Sequence, residues 1–213
     1  MIQLQDKLIT NDWIRADWNT YISHIESPEH KKHRGYYYNG YMKIEDMPTG
    51  ADHSRYQLLT ISAISLFCIA KGIAISGLDN CRYHKIGVTE CQPDLSYYTA
   101  NRAGLAPAGT SVVNLDEKSP PDLVIEISNA TPSDDLGSKR LLYEELSISE
   151  YWVVDAQNNE IIAFEIFNRG SRRIDISLIL PGLSIPIVTA ALARCREVDD
   201  TQIGQWLVSE FQT

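Results

Sequence analysis

The segment DLVIEI, residues 122–127, places two acidic side chains inside a short apolar run. Alternate residues of an extended strand share a face, so Asp122 and Glu126 point one way and the intervening leucine and isoleucine the other. The two carboxylates lie about 13 Å apart along a strand, which is too far to bind one ion together. Glu126 is therefore expected to face a cleft and to need a partner from a neighbouring strand. Asp94, in the preceding segment ECQPDLSYY, is the candidate partner.

Two carboxylates that converge from adjacent strands offer the oxygen ligands that Mg²⁺ prefers. Such a site can polarise a phosphate group and generate hydroxide at neutral pH. A nearby lysine would neutralise the charge that develops on the phosphate, or orient the attacking water. The pattern therefore indicates metal-assisted chemistry at a phosphate.

Each of these residues also has a purely structural explanation. Glu126 could be an ion-paired residue of a half-buried strand, because structural networks contain such acids too. Asp94 follows a proline and could begin a strand or accept a turn hydrogen bond. A lysine such as Lys139, taken alone, is a solvated helix residue. A lone histidine such as His53 in PTGADHSR is more often a surface or capping residue than a ligand.

Composition limits the kind of protein. A net charge of −9 and a pI of about 5.0 argue against a protein whose whole surface binds nucleic acid, although a basic cleft can be local. No apolar run reaches the roughly 20 residues that span a bilayer, and the start MIQLQDKLITNDW lacks an apolar signal segment. We therefore expect a cytoplasmic protein without a membrane partner. The four cysteines lack the paired spacing of a structural zinc site and are expected to be reduced and buried.

Apolar residues at three- and four-residue steps predict several helices. Thr10 or Asn11 is the expected cap of the first helix, Asp52 or Ser54 opens the second, and Gly72 ends it. Ser133 is the expected cap of the third. The predicted helices cover residues 11–26, 52–71, 134–146, 188–196 and 201–211.

Alternating segments between these helices predict strands. Asn39-Gly40 inside GYYYNGYMKIE is a strong hairpin signal, and residues 157–160 join a second hairpin. The sequence GLDN, residues 77–80, reads as a turn. The remaining predicted strands are CRYHKIGV, ECQPDLSYY, DLVIEIS and RRIDISLIL. This order of elements predicts an α/β (α+β) protein with a mixed sheet flanked by helices, forming one domain over residues 1–213.

Three segments together resemble a known family: QPDLSYY, PPDLVIEI and DDLGSKRLLYEELSISEYWVVD. They are similar to the Uma-type putative restriction endonuclease family, within the PD-(D/E)XK nuclease superfamily. The resemblance covers about residues 35–167, and D-L-G-x-K-x-x-x-Y followed by E-Y-W-x-V-D is its most specific part. It implies a restriction-endonuclease-like domain with a core of about 35–167, to which a helix at 11–26 and helices at 187–212 are additions.

The resemblance also implies an activity and the residues that carry it. It implies a Mg²⁺-dependent endonuclease, in which Mn²⁺ substitutes, that hydrolyses DNA by a metal-activated water. Asp94 and Glu126 are the implied metal ligands. The superfamily lysine stands two residues after the acid, where this chain has Ser128, so its role falls to Lys139 on the following helix. The shared helical face of Asp135, Lys139 and Tyr143 supports that choice.

The chain departs from the family at Tyr36, where members usually carry a glutamate before the hairpin turn. Glu45 is the candidate to compensate. His53 is a further candidate for lining the site. Asp122 resembles the second Pro-Asp pair of the family and is expected mainly to begin the strand, with a lesser site role.

Two functions remain open at this point. The first is a DNA endonuclease, which is expected to act as a homodimer because two-strand cleavage needs two active sites. The second is a nuclease fold with weak or no catalysis that serves as a binding or assembly module. The acidic balance of the chain and the departure at Tyr36 favour the second.

Overall fold

The computed structural model describes residues 10–129 and 132–212. These residues form two compact units. Unit 1 is built from the described residues up to 48 together with 82–92 and 110–118, and unit 2 from those in 49–81, 93–109 and 119–212. The single-domain organisation stays a prediction. Residues 1–9, on which the expected lack of a signal segment depends, lie outside the described residues.

The secondary structure is mixed, with strands in both units. The strands are β1 (Thr10–Arg15), β2 (His33–Tyr38), β3 (Tyr41–Asp46), β4 (Ile75–Asp79), β5 (Tyr83–Lys85), β6 (Thr89–Cys91), β7 (Leu95–Thr99), β8 (Val113–Asn114), β9 (Leu123–Ser128), β10 (Glu150–Asp155), β11 (Glu160–Phe167) and β12 (Gly170–Ile174). The helices are α1 (Trp18–Ile25), α2 (Ala51–Lys71), α3 (Pro132–Asp134), α4 (Arg140–Glu145), α5 (Ile185–Arg194) and α6 (Asp200–Gln212). A π-helical turn, Asp135–Lys139, joins α3 to α4. No helix in the described part of the chain is long and apolar enough to cross a membrane.

Unit 1 is a six-stranded sheet in the order β1-β3-β2-β6-β5-β8, with α1 packed against it. The predicted hairpin is confirmed: β2 and β3 are antiparallel, and Tyr38 pairs with Tyr41. Asn39 and Gly40 both have positive φ, 51° and 77°. A two-residue hairpin turn requires this conformation, which Asn-Gly adopts at low cost.

The prediction for the first helix is wrong at its beginning. Residues 10–15 form β1, in which Arg15 pairs with Tyr41 of β3. The helix begins only at Trp18, where the Asp17 side chain accepts a hydrogen bond from the Thr20 N–H at 2.8 Å. Neither Thr10 nor Asn11 is the cap. Pairing with a hairpin distant in sequence outweighs the helical spacing of the apolar residues.

Unit 2 is a six-stranded sheet in the order β12-β11-β10-β9-β7-β4. β9 and β10 are parallel, and the other neighbours are antiparallel, so the sheet is mixed. Helices α2, α5 and α6 share a hydrophobic core with one face of the sheet. The segment from α3 to α4 lies over the other face, where the Tyr143 hydroxyl reaches Glu126. The predicted mixed sheet flanked by helices is confirmed.

The sequence misplaced some of the strands. ECQPDLSYY is not one strand, because residues 92–94 separate β6 in unit 1 from β7 in unit 2. Pro93 lies at this break, and proline cannot donate a ladder hydrogen bond. GLDN is not a turn: β4 ends at Asp79 and pairs antiparallel with β7. β12 ends at Ile174, so it covers only the start of RRIDISLIL.

The other helices and the cysteines agree better with expectation. α2 ends at Gly72, whose φ of 65° is the left-handed conformation expected of a glycine stop, although its N-cap is Gly50 instead of Asp52 or Ser54. The third helical segment begins at Pro132, so Ser133 lies inside it and is not its cap. The four cysteines are reduced and three of them are buried.

Candidate active site

The side chains of β9 alternate as its sequence predicts. Leu123, Ile125 and Ile127 belong to the hydrophobic core of unit 2. Glu126 points to the opposite face, towards the segment from α3 to α4. It is only 1% exposed, so it lies beneath that segment and not in the open cleft expected from the sequence.

Asp94 immediately precedes β7 and lies beside Glu126. In the antiparallel register of β7 and β9, Leu95 pairs with Ile125. Asp94 therefore lies next to Glu126. One carboxylate oxygen of Asp94, Oδ2, accepts a hydrogen bond from the backbone N–H of Ile127 at 2.7 Å. This contact fixes the Asp94 carboxylate against β9. Asp94 and Glu126 therefore occupy neighbouring positions on adjacent segments of the sheet.

Lys139 reaches the same place from the helical segment. Its Nζ lies 3.6 Å from Oε2 of Glu126 and 3.1 Å from Oδ1 of Asp135. Tyr143, one helical turn further on, donates its hydroxyl to Oε1 of Glu126 at 2.7 Å. The helical segment thus folds back over the strand, which is the condition for Lys139 to act with Glu126.

His53 also joins these residues. It lies in the first turn of α2 and is buried, and its Nε2 is 3.1 Å from Oδ1 of Asp94. The two oxygens of Asp94 thus contact a histidine ring on one side and a strand backbone on the other. His53 thus contacts this group of residues through Asp94.

Two further residues near Glu126 share a helical face with Lys139 in the sequence but are not predicted there as site residues. Asp135 pairs with Lys139, and Tyr143 bonds to Glu126. The signal that could have identified them is their four-residue spacing on either side of Lys139. We call the following six side chains the polar cluster: His53, Asp94, Glu126, Asp135, Lys139 and Tyr143.

Asp122 does not belong to the polar cluster. Its Oδ2 accepts hydrogen bonds from the backbone N–H of Thr99 at 2.8 Å and from its hydroxyl at 3.4 Å, and its Oδ1 lies 3.0 Å from Arg102 Nε. These contacts tie the start of β9 to the end of β7, which is the strand-entry role expected of Asp122.

Glu45 and Tyr36 belong to unit 1. Glu45 forms an ion pair with Lys43, with Nζ and Oε2 2.8 Å apart. The Tyr36 hydroxyl donates to the backbone carbonyl of Gln92 at 3.0 Å. Tyr36, where the family resemblance leads us to expect a glutamate, thus supports the packing of unit 1.

The carboxylates of the polar cluster fit a divalent cation in chemical type. No three His, Cys, Asp or Glu side chains in residues 10–129 and 132–212 are arranged to hold a metal ion. Mg²⁺, however, is usually held by only one or two carboxylates, and water and substrate phosphates complete its octahedron. Asp94 and Glu126 can supply those two carboxylates.

The charges of the polar cluster also favour a cation. Asp94, Glu126 and Asp135 are three buried carboxylates, and Lys139 is the one ammonium among these six side chains. Counted as formal charges, the three carboxylates and the one ammonium sum to −2. A bound divalent cation would neutralise this excess.

Comparison with known proteins gives a family and a similar solved structure. The model of the Uma2 family, described as "Putative restriction endonuclease", matches residues 18–193. This range is wider than the 35–167 expected from motifs. A crystal structure of "a putative nuclease belonging to DUF820 from Anabaena variabilis ATCC 29413" is 17% identical, with 81% of this chain and 90% of that chain covered and a TM-score of 0.49. Among curated proteins, none matches the chain.

Proposed function

The chain belongs to the Uma2 family of putative restriction endonucleases, and on this premise we propose that it is a Mg²⁺-dependent endonuclease that hydrolyses DNA. One observation carries the proposal. Asp94, just before β7, is bonded to the backbone of β9 beside Glu126, and Lys139 of the following helical segment forms an ion pair with Glu126. A phosphodiesterase of this superfamily would require the same three residue types in one place.

Each residue has a distinct task in the proposed reaction. Asp94 and Glu126 would hold the cation. When bound, Mg²⁺ supplies a Lewis acid that polarises the phosphate and lowers the pKa of a water molecule. The Lys139 ammonium would donate hydrogen bonds to phosphate oxygens as negative charge develops on them. The Tyr143 hydroxyl holds Glu126 in place through its hydrogen bond to Oε1.

A cavity of unit 2 offers a route for the phosphate. It has a volume of about 450 Å³, and His53 lies in its wall. Asn129, just beyond the end of β9, and Arg196 also line it. An arginine and an amide are suitable donors for phosphate oxygens. The cavity thus supports the approach of a phosphodiester to the His53 side of the polar cluster.

The test is cleavage of supercoiled plasmid by the purified chain with Mg²⁺, with Mn²⁺ and with EDTA. We expect nicking with either metal ion and none with EDTA. Asp94→Asn and Glu126→Gln should each reduce the rate on the order of a hundredfold or more, because each removes a ligand charge. Asp122→Asn, the same change at the other end of β9, is the matched control and should retain the metal dependence. Cleavage that survives both changes would disprove the assignment.

A second function is favoured by a different observation. The net charge of −9 and the use of Tyr36 in packing are consistent with a nuclease fold that serves as a binding or assembly module. Calorimetric titration with Mn²⁺ separates the two functions. Binding that requires Asp94 and Glu126 supports the nuclease, whereas no binding at millimolar Mn²⁺ supports the module.

Cleavage of both DNA strands would further require two active sites. We therefore propose that the active form is a homodimer. Sedimentation velocity with and without duplex DNA tests this directly. A monomer that nicks one strand but never linearises plasmid would exclude the dimer and leave the chemistry intact.

A further inference from the structure

The Lys139 ammonium lies at unequal distances from the buried carboxylates of Asp135 and Glu126. Its Nζ is 3.1 Å from Oδ1 of Asp135 and 3.6 Å from Oε2 of Glu126. The shorter contact is within hydrogen-bond distance, whereas the longer one is an ion pair without a direct hydrogen bond. Asp135 is thus the closer partner of the lysine, although Glu126 is the proposed metal ligand.

Asp135 is held firmly in its position. It is buried, at 4% exposure, and lies at the start of the π-helical turn that ends with Lys139. Its backbone carbonyl accepts a hydrogen bond from the Tyr151 hydroxyl at 3.0 Å. Tyr151 is itself fully buried, and its ring lies 4.8 Å from that of Tyr143. π-helical turns are frequent at functional sites, and this one brings Lys139 within 3.6 Å of Glu126 on β9.

The position of Lys139 matters for metal binding because an ammonium and a metal ion compete for the same carboxylate. An ammonium close to Oε2 of Glu126 would oppose a divalent cation there, both by repulsion and by occupying a lone pair. Asp135 provides the lysine with a second anionic partner. Removal of the Asp135 charge would take away an attraction that opposes a closer approach of Lys139 to Glu126.

We propose that Asp135 is a positioning residue that draws the Lys139 ammonium away from Glu126 and so leaves the Glu126 carboxylate available to the divalent cation. The inference rests on the proposed function, because it concerns the same metal site. A direct attraction between Asp135 and the cation would also strengthen metal binding, but it would not depend on Lys139. An effect that acts through Lys139 must disappear when the Lys139 charge is removed.

The test is a double-mutant cycle on Mn²⁺ affinity, measured by titration calorimetry without DNA. Asp135→Asn should weaken Mn²⁺ binding roughly tenfold, within the usual range for coupled contacts. Lys139→Gln should strengthen binding. In the Lys139→Gln background, Asp135→Asn should have no further effect. Lys139→Met provides the same test with an apolar side chain if the glutamine variant does not fold.

The matched control is Asp134→Asn, which makes the same charge change at the preceding position, outside the polar cluster. It should change Mn²⁺ affinity less than twofold, and thermal melts of all variants separate folding from binding. The positioning role would be overturned if Asp135→Asn lowered Mn²⁺ affinity equally with and without the Lys139 charge, or did not lower it at all. Mn²⁺ binding by the wild type would in that case leave the proposed function intact. No Mn²⁺ binding by the wild type would overturn both.

Discussion

The Nζ of Lys139 lies 3.6 Å from Oε2 of Glu126, although one residue belongs to a helical segment and the other to a strand. The PD-(D/E)XK pattern places its lysine two residues after the acid, on the same strand. In this chain that position is Ser128, which is buried and lies on the same face of β9 as Glu126. The helix therefore delivers a cation to a place that a strand lysine could also reach.

Lys139→Met should lower plasmid cleavage on the order of a hundred- to a thousandfold, since the phosphate loses its charged donor. The variant should also melt earlier, because Asp135 and Glu126 lose their buried ammonium. Initial rates at saturating Mg²⁺ measure the first effect. Lys71→Met, a change of an exposed lysine, should alter neither quantity.

Adding Ser128→Lys to Lys139→Met should restore part of the lost cleavage, because alternate residues of a strand share a face and the new ammonium would extend beside Glu126. The comparison is the rate of the double variant against that of Lys139→Met, with Ser128→Lys alone as the folding control. If the double variant folds but cleaves no faster than Lys139→Met, a positive charge on this face of β9 is not enough to replace Lys139.

Tyr143→Phe should cost about 1.5–3 kcal/mol of unfolding free energy, because Glu126 loses a hydrogen bond to a charged acceptor. Tyr98→Phe is the matched control, since its hydroxyl donates at 3.0 Å to the neutral backbone carbonyl of Ser119. It should cost about 1 kcal/mol. Urea unfolding measures both. Only Tyr143→Phe should also change Mn²⁺ affinity, and an equal change in both variants would contradict its role in holding Glu126.

His53→Ala should lower Mn²⁺ affinity and cleavage together, because the Asp94 carboxylate loses the ring that orients it. Changes to residues that orient metal ligands typically cost ten- to a hundredfold. His33→Ala is the control: His33 also contacts a carboxylate, 3.2 Å away on Asp46, but that aspartate is largely exposed. Unaltered Mn²⁺ affinity in folded His53→Ala would show that His53 only packs.

Glu150 should make the stability of unit 2 depend on pH. Burial raises its pKa above the ordinary value of 4.5, although hydrogen bonds from the backbone N–H groups of Ile179 and Leu178 and from the Ser177 hydroxyl oppose the shift. Because the folded state holds this proton more tightly than the unfolded chain, the stabilising contribution is complete below pH 4.5 and is lost as pH rises through the raised pKa.

Glu150→Gln isolates this contribution, since every other group titrates alike in both proteins. The unfolding free energy of the wild type minus that of the variant should fall as pH rises from below 4.5 towards neutrality. Urea unfolding across this range provides the values. A difference that does not change with pH would mean that Glu150 has the same pKa in the folded and unfolded chain.

Features that depend on neighbouring residues could be predicted from the sequence. Asn39-Gly40 predicted its hairpin because the turn requires two positive φ angles at adjacent positions. Gly72 predicted the end of α2 for a similar reason. The alternation around Glu126 identified the strand face that carries the acid, since a period of two is local to the strand. The motifs identified the family, which the match over residues 18–193 confirms.

Which of these residues contact one another depends on the tertiary structure. The helical spacing of residues 11–26 gave way to strand pairing with β3, and Pro93 divided one apparent strand between two sheets. Helical spacing does not reveal where Glu126 lies. It therefore could not predict that Lys139 lies closer to Asp135 than to Glu126. Distances between side chains on different elements depend on how the whole unit packs. Spacing along the chain therefore identified the candidates, and packing brought four of them, with Asp135 and Tyr143, into the polar cluster.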